Sequence, residues 1–178
     1  MRIERIWSMP SRWTFDIKAI KELLDEEMGS GMMIDGHWAD PFAGKRSRAQ
    51  VRNDLNPKMA AEHHLDALEF LKSQDEGSFD GVLYDPPYSM RQAVECYESF
   101  GKGNYTASVS SMKYWADCKD EVARILRPGG KAICFGWNTN GLGKSRGFEM
   151  TRVLVIPHGG SKNDTLVTVE TPRTKAEE

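Results

Sequence analysis

The stretch Phe79-Asp80-Gly81-Val82-Leu83-Tyr84-Asp85-Pro86-Pro87-Tyr88 joins an apolar run to a rigid, polar end. The apolar run, 79–84, predicts a buried β-strand. The prolines fix φ and remove backbone N–H donors, so nearby carbonyl groups stay free to accept hydrogen bonds. An acid, free carbonyls and an aromatic ring suit a planar base with an exocyclic amino group. The alternative is that the residues after the strand form only a rigid turn.

Length and composition predict one soluble, globular domain. The chain has 178 residues, 39% of them hydrophobic and 28% charged, which is ordinary for such proteins. No apolar run approaches the length of a membrane span, and the N-terminus lacks the apolar stretch of a signal peptide. We therefore expect no membrane partner, a single domain over residues 1–171 and a flexible tail over 172–178.

The cysteines and histidines predict no metal site. Cys96, Cys118 and Cys134 are scattered and odd in number, match no zinc spacing and indicate a reducing cytoplasm. His63 and His64 are adjacent and would point to opposite sides of a strand. The net charge of −2 argues against a protein that binds DNA through its overall charge, but it is compatible with a local basic patch.

Helical and strand patterns alternate along the chain. The predicted strands are 35–39, 50–54, 62–65, 79–84, 131–137, 148–157 and 165–171. The predicted helices are 16–28, 67–72 and a segment that carries Trp115, Cys118, Val122, Ile125 and Leu126 on one face and stops at 127–130. Between them lies the long polar stretch 89–111. This alternation predicts an α/β fold with a doubly wound, mostly parallel seven-stranded sheet whose last strand is antiparallel.

An aspartate stands at the predicted end of each of four consecutive strands. These residues are Asp40, Asp54, Asp66 and Asp85. In doubly wound sheets, ligands bind outside the carboxyl ends of the strands. A carboxylate at that edge can accept hydrogen bonds from the ribose hydroxyls or the amino group of a nucleoside. For Asp54 and Asp66 the alternative is that the side chain caps a turn.

Two motifs in this order resemble those of a known family. The segment Asp40-Pro41-Phe42-Ala43-Gly44 followed by Asp85-Pro86-Pro87-Tyr88 resembles the amino-group DNA methyltransferases that use S-adenosylmethionine, and within them the small phage-type DNA adenine N6-methyltransferases. The likeness runs from Trp7 to about Glu170 and includes the segments 9–15, 53–57, 135–141 and 158–164. It implies the Rossmann-like fold of class I S-adenosylmethionine-dependent methyltransferases.

The resemblance also implies a cofactor site for S-adenosylmethionine. Its residues would be Thr14, Phe15, Asp40, Pro41, Phe42, Ala43, Gly44, Asp54, Asn56, Asp66, Ala67 and Asp85. The turn at 40–44 would lie under the methionine half of the cofactor. Asp54 would accept from the ribose hydroxyls and Asp66 from the adenine amine.

The chain departs from this family at two points. Arg46 stands where many relatives have a second glycine. Only Lys45 to Ala49 separate the first motif from the second strand, although a parallel crossover normally takes a dozen residues or more. We therefore expect the helix usual at this place to be shortened or absent. Lys45 and Arg46 would face either the cofactor carboxylate or DNA.

The resemblance implies direct methyl transfer to the N6 amino group of a flipped adenine. The catalytic residues would be Asp85, Pro86, Pro87 and Tyr88. Tyr88 would stack on the base, and the Asp85 carboxylate and Pro86 carbonyl would accept the two amino hydrogens. No cysteine is needed as a nucleophile. The alternatives are a methyltransferase acting on base amino groups of ribosomal RNA, and a protein that binds S-adenosylmethionine or DNA without catalysis.

Double-stranded DNA is the expected partner, with a short or relaxed target sequence. Two segments, 89–111 and 138–147, mix basic, amide and aromatic groups of the kind that contact phosphates and bases. The candidate contacts are Arg91, Lys102, Tyr105, Asn140, Lys144 and Arg146. The alternative is that these residues form ordinary solvated faces. We expect a monomer or homodimer in the cytoplasm of a bacterium, encoded by the bacterium or by a phage, with a role in restriction–modification, protection from restriction, or regulation.

Overall fold

A computed structural model describes residues 1–29, 34–160 and 162–173, apart from the side chain of Asn104. The strands are β1 Arg2–Arg5, β2 Trp38–Asp40, β3 Val51–Arg52, β4 Phe79–Tyr84, β5 Leu126–Gly136, β6 Phe148–Ile156 and β7 Thr165–Pro172. The helices are α1 Lys18–Met28, α2 Ala67–Lys72, α3 Met90–Ser99, α4 Thr106–Val109 and α5 Met112–Ile125. Three short 3₁₀ turns are Thr14–Asp16, Gly103–Tyr105 and Lys144–Arg146.

The strands form one sheet in the order β1-β6-β7-β5-β4-β2-β3. All neighbours run parallel except β7, which is antiparallel to both β5 and β6. Strand β4 is therefore an interior strand, between β5 and β2. This arrangement confirms the predicted α/β fold, the seven strands and the antiparallel last strand. Most of the predicted tail, 174–178, lies outside the described residues.

The seventh strand is not the one that the sequence predicted. Residues 62–65 contribute only a single parallel bridge, between Asn53 and His63. The seventh strand is instead β1, which pairs with β6 at the opposite edge of the sheet. Its sequence, Arg-Ile-Glu-Arg, is too short and charged to give an apolar signal. Its place is fixed by tertiary contacts instead, since the Arg152 guanidinium of β6 donates to Glu4 at 2.7 Å.

Two connections also differ in detail from their predictions. Residues 41–50, between β2 and β3, contain turns only, as the short spacing predicted. The polar stretch 89–111, by contrast, is mostly helical and forms α3 and α4. Helix α3 begins at a cap that the sequence contains: the Ser89 hydroxyl accepts from the Gln92 N–H at 3.2 Å. Segment 127–130 ends α5 as predicted, but it is an irregular start of β5 rather than a loop.

The sheet is buried on both faces by two apolar clusters. One face of the sheet packs with α2, α3 and α5 around Phe70, Val82 and Val122. The other packs with α1 around Leu23 and Leu83. Since side chains alternate along a strand, adjacent Val82 and Leu83 supply opposite faces of β4. Burial on both faces explains why 79–84 is continuously apolar and was recognisable in the sequence.

Asp66 joins three of these helices. One carboxylate oxygen caps α2 by accepting from the N–H groups of Leu68 at 3.0 Å and Glu69 at 3.2 Å. The other accepts from the hydroxyls of Tyr97 in α3 at 2.8 Å and Tyr114 in α5 at 2.7 Å. Asp66 is only 4% exposed. A buried carboxylate that accepts four hydrogen bonds is well compensated for the loss of water.

We expect Tyr114→Phe to lower the free energy of unfolding by about 1.5–3 kcal/mol, because it removes a hydrogen bond to a buried charged group. Denaturant unfolding followed by circular dichroism measures this change. Tyr105→Phe is the matched control, since its hydroxyl donates to Glu69 at the surface at 2.7 Å. The control should lose less than about 1 kcal/mol. Equal losses in the two variants would contradict the role assigned to Asp66.

Candidate active site

The carboxyl ends of β2, β3 and β4 open into a cavity of about 310 Å³. We call it the strand-end cavity. Its walls come from the segments that follow these strands, from the start of α2, and from α3. The residues that line it are Thr14, Pro41, Phe42, Asn53, Asp54, Leu55, Leu65, Ala67, Asp85, Pro86, Pro87, Tyr88, Gln92, Cys96 and Tyr97. Six of the twelve expected cofactor residues line this cavity, together with the four residues of the catalytic motif, of which Asp85 belongs to both sets.

A smaller cavity of about 160 Å³ adjoins it, and we call it the loop cavity. Thr14, Phe42 and Asp85 line both cavities, so the two meet at these side chains. The loop cavity is otherwise lined by Arg12, Trp13, Phe15, Ala43, Gly44, Lys45 and Arg46. Phe15 is buried and packs edge-on against Phe135 with ring centroids 5.4 Å apart. A ligand that lies across Asp85 can therefore extend into both cavities.

Asp40 lies behind the wall and holds the turn that follows β2. It is fully buried, and it accepts from the Ser47 hydroxyl at 2.6 Å and the Phe42 N–H at 2.9 Å. Burial raises the pKa of Asp40 to about 8, and these two hydrogen bonds oppose the rise. Asp40 was expected to bind the cofactor, but it lines neither of the two cavities. It instead holds the turn whose residues do line them.

Asp54 lines the strand-end cavity and also fastens two turns. Its carboxylate accepts from the Gly44 N–H at 2.8 Å and from the Asn56 N–H at 2.8 Å. Burial raises the pKa of Asp54. Gly44 has φ 55°, in the left-handed region that favours glycine. Asn56 does not line the cavity, and its side chain accepts from the Lys58 N–H at 3.0 Å within the same turn.

Asp66 does not line the cavity, because its carboxylate is engaged by hydrogen bonds within the protein. Both of its oxygens are engaged by α2 and the two tyrosine hydroxyls, and its neighbour Ala67 lines the cavity instead. The N–H of Ala67 lies in the first turn of α2, where a backbone N–H has no acceptor within the helix. The start of α2 at the cavity is thus a place where a backbone N–H is free to donate to a ligand.

Asp85 and Tyr88 form the polar centre of the site. The Tyr88 hydroxyl donates to the Asp85 carboxylate at 2.8 Å, and the Thr14 side chain forms a second hydrogen bond to it. Burial raises the pKa of Asp85 to about 6, against the opposite effect of these bonds. The Tyr88 N–H donates to the Gln92 side chain of α3 at 2.9 Å. The motif is thus held at both ends, by β4 and by the first turn of α3.

Two further cavities meet at Tyr88. One, of about 220 Å³, lies between Pro86–Tyr88 and the residues around Trp137, and we call it the tryptophan cavity. The other is a groove of about 630 Å³ that includes Arg12, Trp137 and Lys162, and we call it the basic groove. The rings of Tyr88 and Trp137 meet edge-on, with centroids 5.7 Å apart. Trp137 is 40% exposed, so this aromatic pair forms an open mouth.

The expected DNA contacts fall on two elements with different surroundings. Arg91 is exposed on α3 beside Glu95 at 2.7 Å, and Asn140 and Lys144 are exposed after β5. Lys102 is half-buried, and the Tyr105 hydroxyl is bound to Glu69. The guanidinium of Arg146 is engaged inside the protein, since it donates to Asp120 at 2.6 Å and to the carbonyls of Leu142 and Ala116. Arg146 therefore braces the loop after β5 against α5.

Helix α3 forms part of the cavity wall, which the sequence did not predict. Gln92 and Cys96 stand four residues apart, and with Tyr97 they line its wall. Residues three or four apart share a helix face, so this spacing was the available signal. The stretch is too polar, however, for an apolar pattern to indicate a helix there.

Within residues 1–29, 34–160 and 162–173, no cluster of three or more His, Cys, Asp or Glu side chains is arranged to hold a metal ion. Over the same part of the chain, no helix has the length and apolar character needed to cross a membrane.

No family model and no curated protein matches the chain, but solved structures share its fold. A 1,6-didemethyltoxoflavin-N1-methyltransferase from Burkholderia thailandensis, with bound S-adenosylhomocysteine, matches 88% of this chain and 78% of its own at 12% identity and TM-score 0.57. TrmN from Thermus thermophilus matches 88% of this chain and 49% of its own length, at 16% identity and TM-score 0.57. An S-adenosylmethionine-dependent methyltransferase from Thermotoga maritima matches 86% and 89% at 13% identity and TM-score 0.51.

These likenesses define the class of fold. The chain has the α/β fold of class I S-adenosylmethionine-dependent methyltransferases. S-adenosylmethionine, the cofactor expected from the sequence, agrees with the structures that share this fold. At identities of 12% to 16% the comparison shows the fold alone and says nothing about the methyl acceptor.

The pKa of Asp40 gives stability a pH dependence. Its folded pKa of about 8 lies above the value of about 3.9 for an unfolded aspartate. Between these values the folded state binds more protons, so stability falls as pH rises and levels off above about pH 8. Asp40→Asn should therefore flatten the decline between about pH 6.5 and pH 8, by at most about 1.4 kcal/mol per pH unit.

Denaturant unfolding at several pH values measures this slope. The window lies above the pKa of about 6 for Asp85, which limits the contribution of that carboxyl. Asp75→Asn, at an exposed aspartate, is the matched control and should keep the slope of the unsubstituted protein. An Asp40→Asn slope equal to that of the control would show that Asp40 is ionised in the folded protein.

Proposed function

We propose that the protein transfers the methyl group of S-adenosylmethionine to the N6 amino group of a flipped adenine in double-stranded DNA, with a short or relaxed target sequence. The observation that carries this proposal is the position of Asp85-Pro86-Pro87-Tyr88. The motif separates the strand-end and loop cavities on one side from an open aromatic mouth on the other. An amine-binding acid between two cavities suits transfer between two ligands.

The residues around the first two cavities fit the cofactor. The strand-end cavity, with Asp54 as acceptor and the Ala67 N–H as donor, suits the ribose and adenine of S-adenosylmethionine. The loop cavity, with the basic side chains of Arg12, Lys45 and Arg46 on its wall, suits the amino acid part and its carboxylate. When bound, the cofactor supplies an electrophilic methyl group on a sulfonium. Asp66 acts on this site indirectly, by fixing the start of α2.

Asp85 would orient the target amine. One carboxylate oxygen accepts a hydrogen bond from the Tyr88 hydroxyl. This contact would hold the carboxylate in one orientation where the two cavities meet. The carboxylate and the Pro86 carbonyl would accept the two amino hydrogens, so that the nitrogen lone pair leaves the ring π system. The N–C bond forms as the C–S bond breaks, and Asp85 is the adjacent acceptor for the proton that the nitrogen then loses. Catalysis of this kind rests on positioning and electrostatics.

The mouth beside Tyr88 suits an extruded base and its strand. Base–aromatic stacking is worth roughly 1–3 kcal/mol, which helps to offset the cost of removing a base from the duplex. The basic groove brings Arg12 and Lys162 to the same mouth as Trp137. Basic and aromatic groups along one groove match the demands of a nucleic-acid strand. Of the expected DNA contacts, exposed Arg91, Asn140 and Lys144 remain candidates, whereas Arg146 has an internal role.

Asp85→Ala should abolish methyl transfer while largely preserving cofactor binding, because it removes the amine acceptor but leaves the other residues that line both cavities. The assay is transfer of tritiated methyl from S-adenosylmethionine to unmethylated duplex DNA and to ribosomal RNA, with mass spectrometry of the nucleosides. Calorimetry with S-adenosylhomocysteine measures cofactor binding. We expect N6-methyladenine in DNA from the unsubstituted protein and none from Asp85→Ala.

Asp75→Ala, at an exposed aspartate, is the matched control and should methylate DNA normally. Turnover by Asp85→Ala at the rate of the control would contradict the catalytic assignment. Label in ribosomal RNA alone would replace the DNA substrate by RNA. Cofactor binding without label in either nucleic acid would point to a binding protein.

The rate of transfer should fall in acid. The carboxylate form of Asp85 accepts the amine, and its pKa is about 6. Below that pH, kcat/KM should therefore drop by about tenfold per pH unit, and above it the rate should level off. Initial rates at fixed ionic strength from pH 5 to pH 8 measure the profile. Calorimetry of S-adenosylhomocysteine over the same range is the control, since a parallel loss of cofactor affinity would assign the acid limb to binding rather than to Asp85.

A further inference from the structure

The tryptophan cavity has a mouth and a floor of different chemistry. Its mouth consists of Pro86, Pro87 and Tyr88 on one side and Trp137 on the other. Its floor is formed where β4, β5 and α5 meet, by Tyr84, Cys134 and Lys119. Tyr84 and Cys134 are paired in register on adjacent strands, so both reach the same face of the sheet. A ring that enters past Tyr88 meets this floor.

The Tyr84 hydroxyl has no hydrogen-bond partner in the part of the chain that the structure describes. The side chain is only 2% exposed, and its ring packs edge-on against Phe42 with centroids 5.5 Å apart. A buried hydroxyl without a partner is destabilising and is rare in folded proteins. Phenylalanine would fill the same place without this penalty. The Tyr84 hydroxyl is therefore free to donate a hydrogen bond to an acceptor on a bound ligand.

Lys119 brings a second donor to the same floor. It is half-buried, and its ammonium group has no carboxylate within 4.0 Å among residues 1–29, 34–160 and 162–173. The nearby carboxylate of Glu170 is engaged by the backbone N–H groups of Leu142 at 2.7 Å and Gly143 at 3.1 Å. Burial lowers the pKa of Lys119. A half-buried lysine that lines a cavity and has no ion-pair partner can donate a hydrogen bond to an acceptor on a ligand in that cavity.

We propose that Lys119 and Tyr84 form a recognition subsite, in which the Lys119 ammonium donates a hydrogen bond to a ring nitrogen of the substrate base and the Tyr84 hydroxyl makes a weaker, shared contact to the same lone pair, while the amino group of the base lies at Asp85. This inference rests on the proposed function and deepens it. The ligand class is an amino-substituted aromatic heterocycle that carries an acceptor nitrogen on the edge facing the floor. The two side chains are specificity-determining: a base that presents C–H or N–H at that edge leaves both donors unpaired, and such mismatches are strongly rejected.

The test uses adenosine and its 1-deaza, 3-deaza and 7-deaza analogues, each of which replaces one ring nitrogen by C–H. The protein is first saturated with S-adenosylhomocysteine, so that the nucleoside cannot bind in the cofactor cavities. Binding is measured by nuclear magnetic resonance titration. We expect adenosine to bind, and one of the three analogues to bind about tenfold more weakly than the other two, as for a lost hydrogen bond to a charged group.

Two variants locate the effect. In Lys119→Met the penalty of the sensitive analogue should disappear, because the donor that distinguished nitrogen from C–H is gone. In Tyr84→Phe the penalty should shrink while the protein stays folded, since the lost hydroxyl has no internal partner. Lys113→Met, at an exposed lysine of the same helix, is the matched control and should keep the full penalty. Circular dichroism confirms the fold of each variant.

Equal binding of all three analogues by the unsubstituted protein, or an unchanged penalty in both Lys119→Met and Tyr84→Phe, would overturn the subsite. So would a failure of adenosine to bind the loaded protein. These outcomes are independent of the tritium assay, which tests the proposed function. Methylated DNA with no analogue discrimination would remove the subsite alone, whereas analogue discrimination with no methylated nucleic acid would remove the transfer reaction and keep the base-binding site.

Discussion

The four hydrogen bonds accepted by Asp66 are the interaction on which the site depends most. They tie the start of α2 to Tyr97 of α3 and Tyr114 of α5. These helices carry the walls of both ligand cavities: α3 borders the strand-end cavity, and α5 contributes Lys119 to the tryptophan cavity. One buried carboxylate thus fixes the distance between the two proposed ligand sites, although it faces neither of them.

The four strand-end aspartates share a position in the sheet but differ in what surrounds them. Asp40 and Asp66 are buried and saturated by protein donors, so they shape the walls. Asp54 and Asp85 are half-buried and line the cavities, so part of each carboxylate faces the ligand space. Sequence position alone cannot make this distinction. For Asp66 it arises from the hydroxyls of Tyr97 and Tyr114, which come from helices remote from this aspartate along the chain.

The elements that the sequence predicted best are those whose signal is local. Strand β4 has its apolar run, and α2 begins after its cap Asp66 and ends at Lys72, as the sequence predicted. Strand β1 was missed because its charged sequence gives no apolar signal, and its pairing with β6 depends on partners far along the chain, such as Arg152. Helix α3 was missed because it is too polar to show an apolar pattern, although its Ser89 cap and the four-residue spacing of Gln92 and Cys96 are both present in the sequence. The motif Asp85–Tyr88 was recognisable by composition, whereas the helix that completes its cavity was not.

Tyr88 couples the two halves of the proposed reaction. Its hydroxyl holds Asp85, its backbone N–H is held by Gln92, and its ring forms the mouth with Trp137. A base that stacks on this ring therefore lies against a side chain whose other end orients the amine-binding carboxylate. Because the same residue borders the strand-end cavity, the tryptophan cavity and the basic groove, it cannot move to admit a base without affecting Asp85. In the proposed reaction, capture of the base and alignment of its amine would therefore be one event.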